Sequence, residues 1–279
     1  MKYILGGGIT GLIYAFYNKN YTIITPEIGG QMKSNFSLGP RYLHDTLYSR
    51  KLLKDININI EESKIKIGYL SDNGFVVPDD SFRKQYFMKS RNTNSLEHFD
   101  SSVMNSYKSE IDILKVDFDE IIEKLKTEVI NEKVESIDLQ NNLINNTIKF
   151  KHVISTVPIN KLNIFNYDFQ SFDMNYVQYK IFEDLQDFDY VYDIRTNTKF
   201  HRITKDNDFL ICDCFNEVDI DKNNEYYINH IKLKNAQILS VDFVKDLSNI
   251  KFVGRYGTWN RKWKTESVIE DAIEFRNME

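Results

Sequence analysis

Gly6, Gly8 and Gly11 stand at the spacing G-x-G-x-x-G in the opening stretch KYILGGGITGL. Glycines spaced this way do their chemistry through the backbone, and the chemistry is recognition of a diphosphate. The first permits a tight turn, the second lets a pyrophosphate approach the main chain, and the third lets the next helix pack closely on the strand before it. The N-terminus of that helix then faces the phosphates, with Ile9 and Thr10 inside the turn. In such sites an acid at the end of the following strand usually holds the ribose. Here the strand reads YTIIT and ends in Thr25. Two substitutes are open: a hydrogen bond from Thr25, or Glu27 reaching back.

Periodicity supplies the elements that would hold this turn. Tyr3 to Leu5 is a short buried strand, Leu12, Ala15 and Phe16 recur at helical spacing, and Tyr21 to Thr25 is a second strand. Further on, VDFDEIIEKLKTEVI predicts an amphipathic helix with Phe118, Ile121, Ile122 and Leu125 on one face. SIDLQNNLINNTIKFKHVISTVP then predicts a β-meander leading to the buried run Val153 to Ser155, followed by Thr156, Val157 and Pro158. The last stretch predicts a strand ending at Val253, then Gly254 and Arg255, a loop, and a helix from about Glu266.

Composition narrows the class. The chain has 279 residues, 42% hydrophobic, enough for a sizeable core, and the net charge of −5 gives no basic footprint for nucleic acid. No apolar run reaches membrane-spanning length and the N-terminus does not read as a signal peptide, so the cytoplasm is the expected compartment. Cys212 and Cys214 lie at i, i+2 in LICDCF, on one face of a strand. That is poor geometry for a mutual disulfide, and without a CxxC pair or a histidine partner no metal is expected. No Ser-His-Asp triad stands out.

With these segments in hand, the chain resembles UDP-galactopyranose mutase and the wider amine-oxidase-like flavoproteins. GGGITGL matches the dinucleotide turn. GPRYLHDT, with Gly39, Pro40, Arg41 and His44, resembles a Gly-Pro-His-x-x-His-Thr segment that lies against the flavin in that family. KFHRIT, with Arg202, resembles a strand of its substrate domain. GRYGTWNRKW, from Gly254 to Trp263, resembles its Gly-Arg segment at the flavin, and DNGFVVP the stretch leaving the FAD domain. The order of the segments is the family's throughout. Two positions depart from it: the first histidine is Arg41 here, and the tyrosine that follows Gly-Arg falls near Trp259 to Arg261.

The resemblance implies an α/β fold: a Rossmann-like, glutathione-reductase-like FAD-binding domain with an inserted, smaller antiparallel β-sheet substrate domain. The FAD domain would comprise residues 1–75, 116–160 and 246–279, with a short insert at 76–115 and the substrate sheet at 161–245. The cofactor implied is FAD. Its contacts would come from Gly6, Gly8, Ile9, Thr10, Gly11, Thr25, Glu27, Gly29, Gly30, Gln31, Gly39, Pro40, Arg41, Thr156, Val157, Gly254 and Arg255. His44 and Arg255 are the catalytic candidates, and Arg41, Arg202, Trp259 and Arg261 the substrate contacts. The implied chemistry is at flavin N5, on a nucleotide-linked sugar or similar anionic small molecule. An amine-oxidase-type oxidoreductase and a non-catalytic flavin or nucleotide binder are the alternatives.

Overall fold

A computed structural model describes residues 1–33, 42–96, 99, 108–162, 164–165, 171–215, 219–238, 246–258, 260 and 263–278. In chain order the elements begin β1 (Lys2–Gly8), α1 (Ile9–Tyr17), β2 (Thr22–Gly29), a 3-10 turn (Gly30–Lys33), β3 (Tyr42–His44), α2 (Leu47–Asp55), β4 (Glu61–Ser71), β5 (Gly74–Phe75), α3 (Asp80–Lys89), β6 (Glu110–Lys115) and α4 (Phe118–Leu125). They continue with β7 (Val129–Ile130), β8 (Ile137–Asp138), β9 (Leu143–Ile144), β10 (Ile148–Lys149), β11 (His152–Ser155), a second 3-10 turn (Ile159–Lys161), β12 (Ser171–Lys180), β13 (Tyr190–Asp193), β14 (Arg202–Asp206), β15 (Phe209–Phe215), β16 (Tyr227–Ile238), β17 (Ile250–Phe252), α5 (Gly254–Gly257) and α6 (Thr265–Met278). They pack as two units: Met1–Ser63 with Ile113–Phe169 and Ile238–Glu279, and Lys64–Asp112 with Gln170–Gln237. No described helix is long and apolar enough to cross a membrane.

The first unit is built on a parallel sheet in the order β17-β11-β1-β2-β7. Alternate side chains leave a strand on opposite faces, so each strand feeds two cores. Ile4, Ile23 and Ile154 face a core shared with Leu12 and Ile13 of α1, Ile121 of α4 and Ile269 of α6. Tyr3, Leu5, Ile24 and Val153 face the other, closed by Ile144 and Phe150 of the meander region. That meander is the three-stranded antiparallel sheet β8-β9-β10. The predicted amphipathic helix forms as α4, with Asp117 accepting at its N-cap and Phe118, Ile121 and Leu125 buried.

In the second unit the strand order is β16-β12-β15-β14-β13-β4, with β5 folded back on β4. The pairs β12–β15, β15–β14 and β14–β13 are antiparallel, while β13 joins β4 in parallel. That parallel pairing carries residues from Lys64 onward into this unit. One face of the sheet is apolar, with Val177, Val191, Ile203, Cys212 and Cys214 in its core. Both cysteines are free thiols. Helix α3 lies on the opposite face, where Phe82 meets Tyr69 and Tyr86 meets Tyr192 edge to face at 5.6 and 4.8 Å.

Candidate functional site

The glycine turn spans the end of β1 and the start of α1. Gly6 has φ +99°, and a Cβ there would lie 2.5 Å from Oγ1 of Thr156. Thr156 donates both its backbone N–H and its hydroxyl to the Leu5 carbonyl at 2.9 Å, fixing the end of β11 against the turn. Val157 stands beside it, with Cγ2 3.5 Å from the same Cβ position. A Cβ on Gly11 would sit 2.0 Å from the Gly6 carbonyl oxygen, so helix and strand approach closely enough there to demand glycine. Gly8 differs from both. A Cβ there would meet nothing within 4 Å among the described residues.

Gly8 is also the N-cap of α1. No side chain caps the helix and no acid stands in its first turn. The amides at a helix start have no intrahelical acceptor, and the helix dipole adds positive character. Open space before Gly8 and an uncapped helix N-terminus together suit an anion that approaches the backbone. They fit the pyrophosphate of a dinucleotide.

Two more segments close on this turn. β2 continues past Thr25 to Gly29 rather than ending there, and it brings Gly29 opposite Gly8. A Cβ on Gly30 would lie 3.2 Å from Cα of Gly8. The backbone of Gln31 continues into the 3-10 turn. From the far end of the chain, Gly254 has φ +74°, and a Cβ there would lie 2.9 Å from Cγ2 of Thr10. Val253 donates its N–H to the Ser155 carbonyl at 3.0 Å, holding this return in place. Residues 254–257 form the short helix α5 where a loop is expected from sequence, because the N–H and hydroxyl of Thr258 both close on the Gly254 carbonyl, at 3.0 and 2.8 Å. Arg255 is exposed on α5.

Thr25 is buried, and its hydroxyl is spent inside the protein. It accepts from the Gly7 N–H at 3.0 Å and donates to the Glu27 carbonyl at 2.7 Å. It therefore shapes the turn and has no proton left for a ribose. A hydrogen bond from Thr25 to a ribose would have to displace the one it gives to Glu27.

His44 ends β3, which is antiparallel to β6. Its Nδ1 lies 3.9 Å from Oε1 of Glu266 in the first turn of α6. Burial lowers the His44 pKa from its ordinary value; Glu266 opposes that shift and Lys264 adds to it. The imidazole is thus neutral at neutral pH, with one N–H to donate and one lone pair to accept.

Arg202 lies in the second unit. The register places Tyr69, Tyr192, Arg202, Asp213 and Tyr176 in one cross-strand row on one face of the sheet. The Arg202 guanidinium is ion-paired with Asp213, whose side chain is 2% exposed, and it donates to the Tyr190 hydroxyl at 3.1 Å. Arg202 is therefore an internally neutralised cation among tyrosines. Gly39, Pro40, Arg41, Trp259 and Arg261 lie outside the described residues.

No protein-family profile matches the chain, and no curated protein matches it by sequence. Solved structures do match. Reduced UDP-galactopyranose mutase superposes with a TM-score of 0.66 over 99% of this chain and 94% of its own, at 11% identity. A CLA-producing fatty acid isomerase from P. acnes gives 0.61 over 99% and 98%, also at 11% identity. A putrescine oxidase redesigned in its cofactor binding gives 0.60 over 99% and 98%, at 9% identity. The chain shares the fold of these three proteins.

Within this fold, three residues that sequence reasoning passed over shape the candidate sites. Gly7 is required because a Cβ there would lie 2.6 Å from the Glu27 carbonyl oxygen, which nothing local to GGG foretells. Glu266 meets His44 from the opposite end of the chain and carries no sequence signal. Asp213 carried one: it is a single acid inside the apolar run FLICDCF, and a buried acid needs a cationic partner.

Proposed function

We propose that the protein is an FAD-dependent enzyme. The observation that carries this is the open approach to Gly8 at an uncapped helix N-terminus, set in a fold shared over 99% of the chain with reduced UDP-galactopyranose mutase. The amides of the turn through Gly11 would take the pyrophosphate, with Gly29 and Gly30 beside it. Gly254 and Arg255 would approach from the C-terminal side. When bound, the flavin supplies at N5 a centre for hydride transfer or for bonding to a substrate carbon. Neutral His44 would hydrogen-bond cofactor or substrate. Arg255 would place a positive charge where negative charge develops. Purified protein should be yellow, and heat should release a compound that runs as FAD. A colourless protein that cannot be reconstituted with FAD overturns the proposal.

For the substrate, the leading class is a nucleotide-linked sugar or similar anion, as the mutase resemblance implies, with Arg41, Arg202, Trp259 and Arg261 as contacts. One observation favours a second class. Arg202 already shares its charge with Asp213, which weakens its attraction for a phosphate and suits a neutral or amine substrate oxidised next to nitrogen. Nucleoside diphosphates perturbing the flavin spectrum in a saturable, salt-sensitive way would support the first class. Anaerobic bleaching of the flavin by an amine would support the second. A flavin that answers to neither is that of a non-catalytic binder.

A further inference from the structure

In nucleotide-binding folds of this kind the ribose acid stands at the end of the second strand. At that position this chain has Thr25, and a hydroxyl offers one proton and two acceptor sites. All of them are committed. The Thr25 hydroxyl donates to the Glu27 carbonyl at 2.7 Å and accepts from the N–H groups of Gly7 at 3.0 Å and Glu27 at 3.3 Å.

The register shows what these bonds accomplish. Leu5 pairs with Ile24 and Gly7 with Ile28, so β1 advances by one intervening residue while β2 advances by three. Thr25, Pro26 and Glu27 therefore bulge from the pairing beside the glycine turn. Bulges re-aim side chains in this way. The Thr25 hydroxyl clasps Glu27 at both its N–H and its carbonyl, and ties that residue to Gly7. The contact is close enough that Gly7 has no room for a Cβ, which would lie 2.6 Å from the Glu27 oxygen. Glu27 is exposed, and it is the only acid in the first 44 residues.

We infer that the ribose carboxylate has moved two residues along the strand: Glu27 takes the adenosine ribose 2′-hydroxyl of the cofactor, and Thr25 is the positioning residue that presents it. This rests on the dinucleotide proposal above. A carboxylate at residue 25 would lack the proton that Thr25 gives to Glu27, so brace and ribose ligand are divided between two side chains.

The test compares FAD with its 2′-deoxyadenosine analogue, by fluorescence titration of the apoprotein. Wild type should prefer FAD by about 10- to 100-fold, the worth of a charge-assisted hydrogen bond. Glu27→Gln, at an exposed position, should fold normally and lose most of that preference. Thr25→Val should also reduce the preference, and Thr25→Ser should restore it. An unchanged preference in Glu27→Gln overturns the assignment of the carboxylate. A Thr25→Val protein that weakens for both ligands equally overturns the positioning role. If wild type binds neither ligand, the cofactor proposal itself fails, an outcome distinct from both.

Discussion

The Glu266 carboxylate stands 3.9 Å from Nδ1 of His44, joining the last long helix to a three-residue strand near the start of the chain. Burial lowers the histidine's pKa, the acid pulls it back up, and Lys264 pushes it down again. The His44 imidazole should therefore titrate below its ordinary value of about 6.5. Glu266→Gln should lower it further, since the substitution removes the carboxylate that favours the proton. NMR titration of the His44 ring reads this directly, and a midpoint that rises in the variant would contradict the geometry.

The same shift has a sign in stability. A histidine that binds its proton more weakly when folded makes the native state less favourable as protons are added. Its contribution is complete above the unfolded pKa and is lost as pH falls below about 6.5 toward the depressed folded value. Urea denaturation at pH 7.5 and pH 5.5 should show a smaller loss on acidification in His44→Gln than in wild type. An equal loss would mean that the imidazole titrates alike in both states.

Gly8 and Gly11 should separate ligand effects from folding effects. Gly11→Ala drives a Cβ to 2.0 Å from the Gly6 carbonyl oxygen and should destabilise the fold by about 1–3 kcal/mol or more. Gly8→Val adds its side chain to open space, so thermal unfolding should change little while FAD binding is blocked. A Gly8→Val protein that still takes up FAD would remove Gly8 from the pyrophosphate site.

Arg202→Leu removes the cation that is paired with buried Asp213. Breaking a buried ion pair costs about 3–5 kcal/mol, and the Arg202 side chain, 33% exposed, argues for the lower end. Changing Asp213→Leu in the same chain should recover much of the loss. If the single variant is as stable as wild type by urea denaturation, the pair is not structural and Arg202 is available to an anion.

If Arg255 stands beside the flavin as proposed, Arg255→Ala should lower the midpoint potential of the bound flavin, because a cation there favours the reduced, negatively charged state. A spectroelectrochemical titration that finds no change would put Arg255 away from the ring.

How far the sequence could be read follows from where each requirement arises. Gly6, Gly8 and Gly11 were legible because a strand-to-helix turn imposes its demands locally. The ends of β2 were not. Strand propensity runs out at Thr25, and only the pairing of Gly7 with Ile28 and Gly8 with Gly29 extends the strand. α5 was missed for a similar reason, as four residues from Gly254 carry no periodicity and are closed by Thr258. Arg202 was correctly set on a strand, but its charge state depended on Asp213 across the sheet, which the register alone reveals.

β1 is an inner strand, flanked by β2 on one side and β11 on the other, and the turn at its end is completed by Gly254 packed on Thr10. During synthesis the second strand follows almost at once, whereas β11 must wait for residue 152 and the Thr10 contact for residue 254. At about 5–20 residues per second, that last delay is on the order of ten to fifty seconds. Until β11 is made, the edge of β1 that it covers, with its Tyr3-Ile4-Leu5 run, lacks its native neighbour and can pair with other chains. The glycine turn, built from residues 6–11, is thus completed only once the segment at residue 254 has been made.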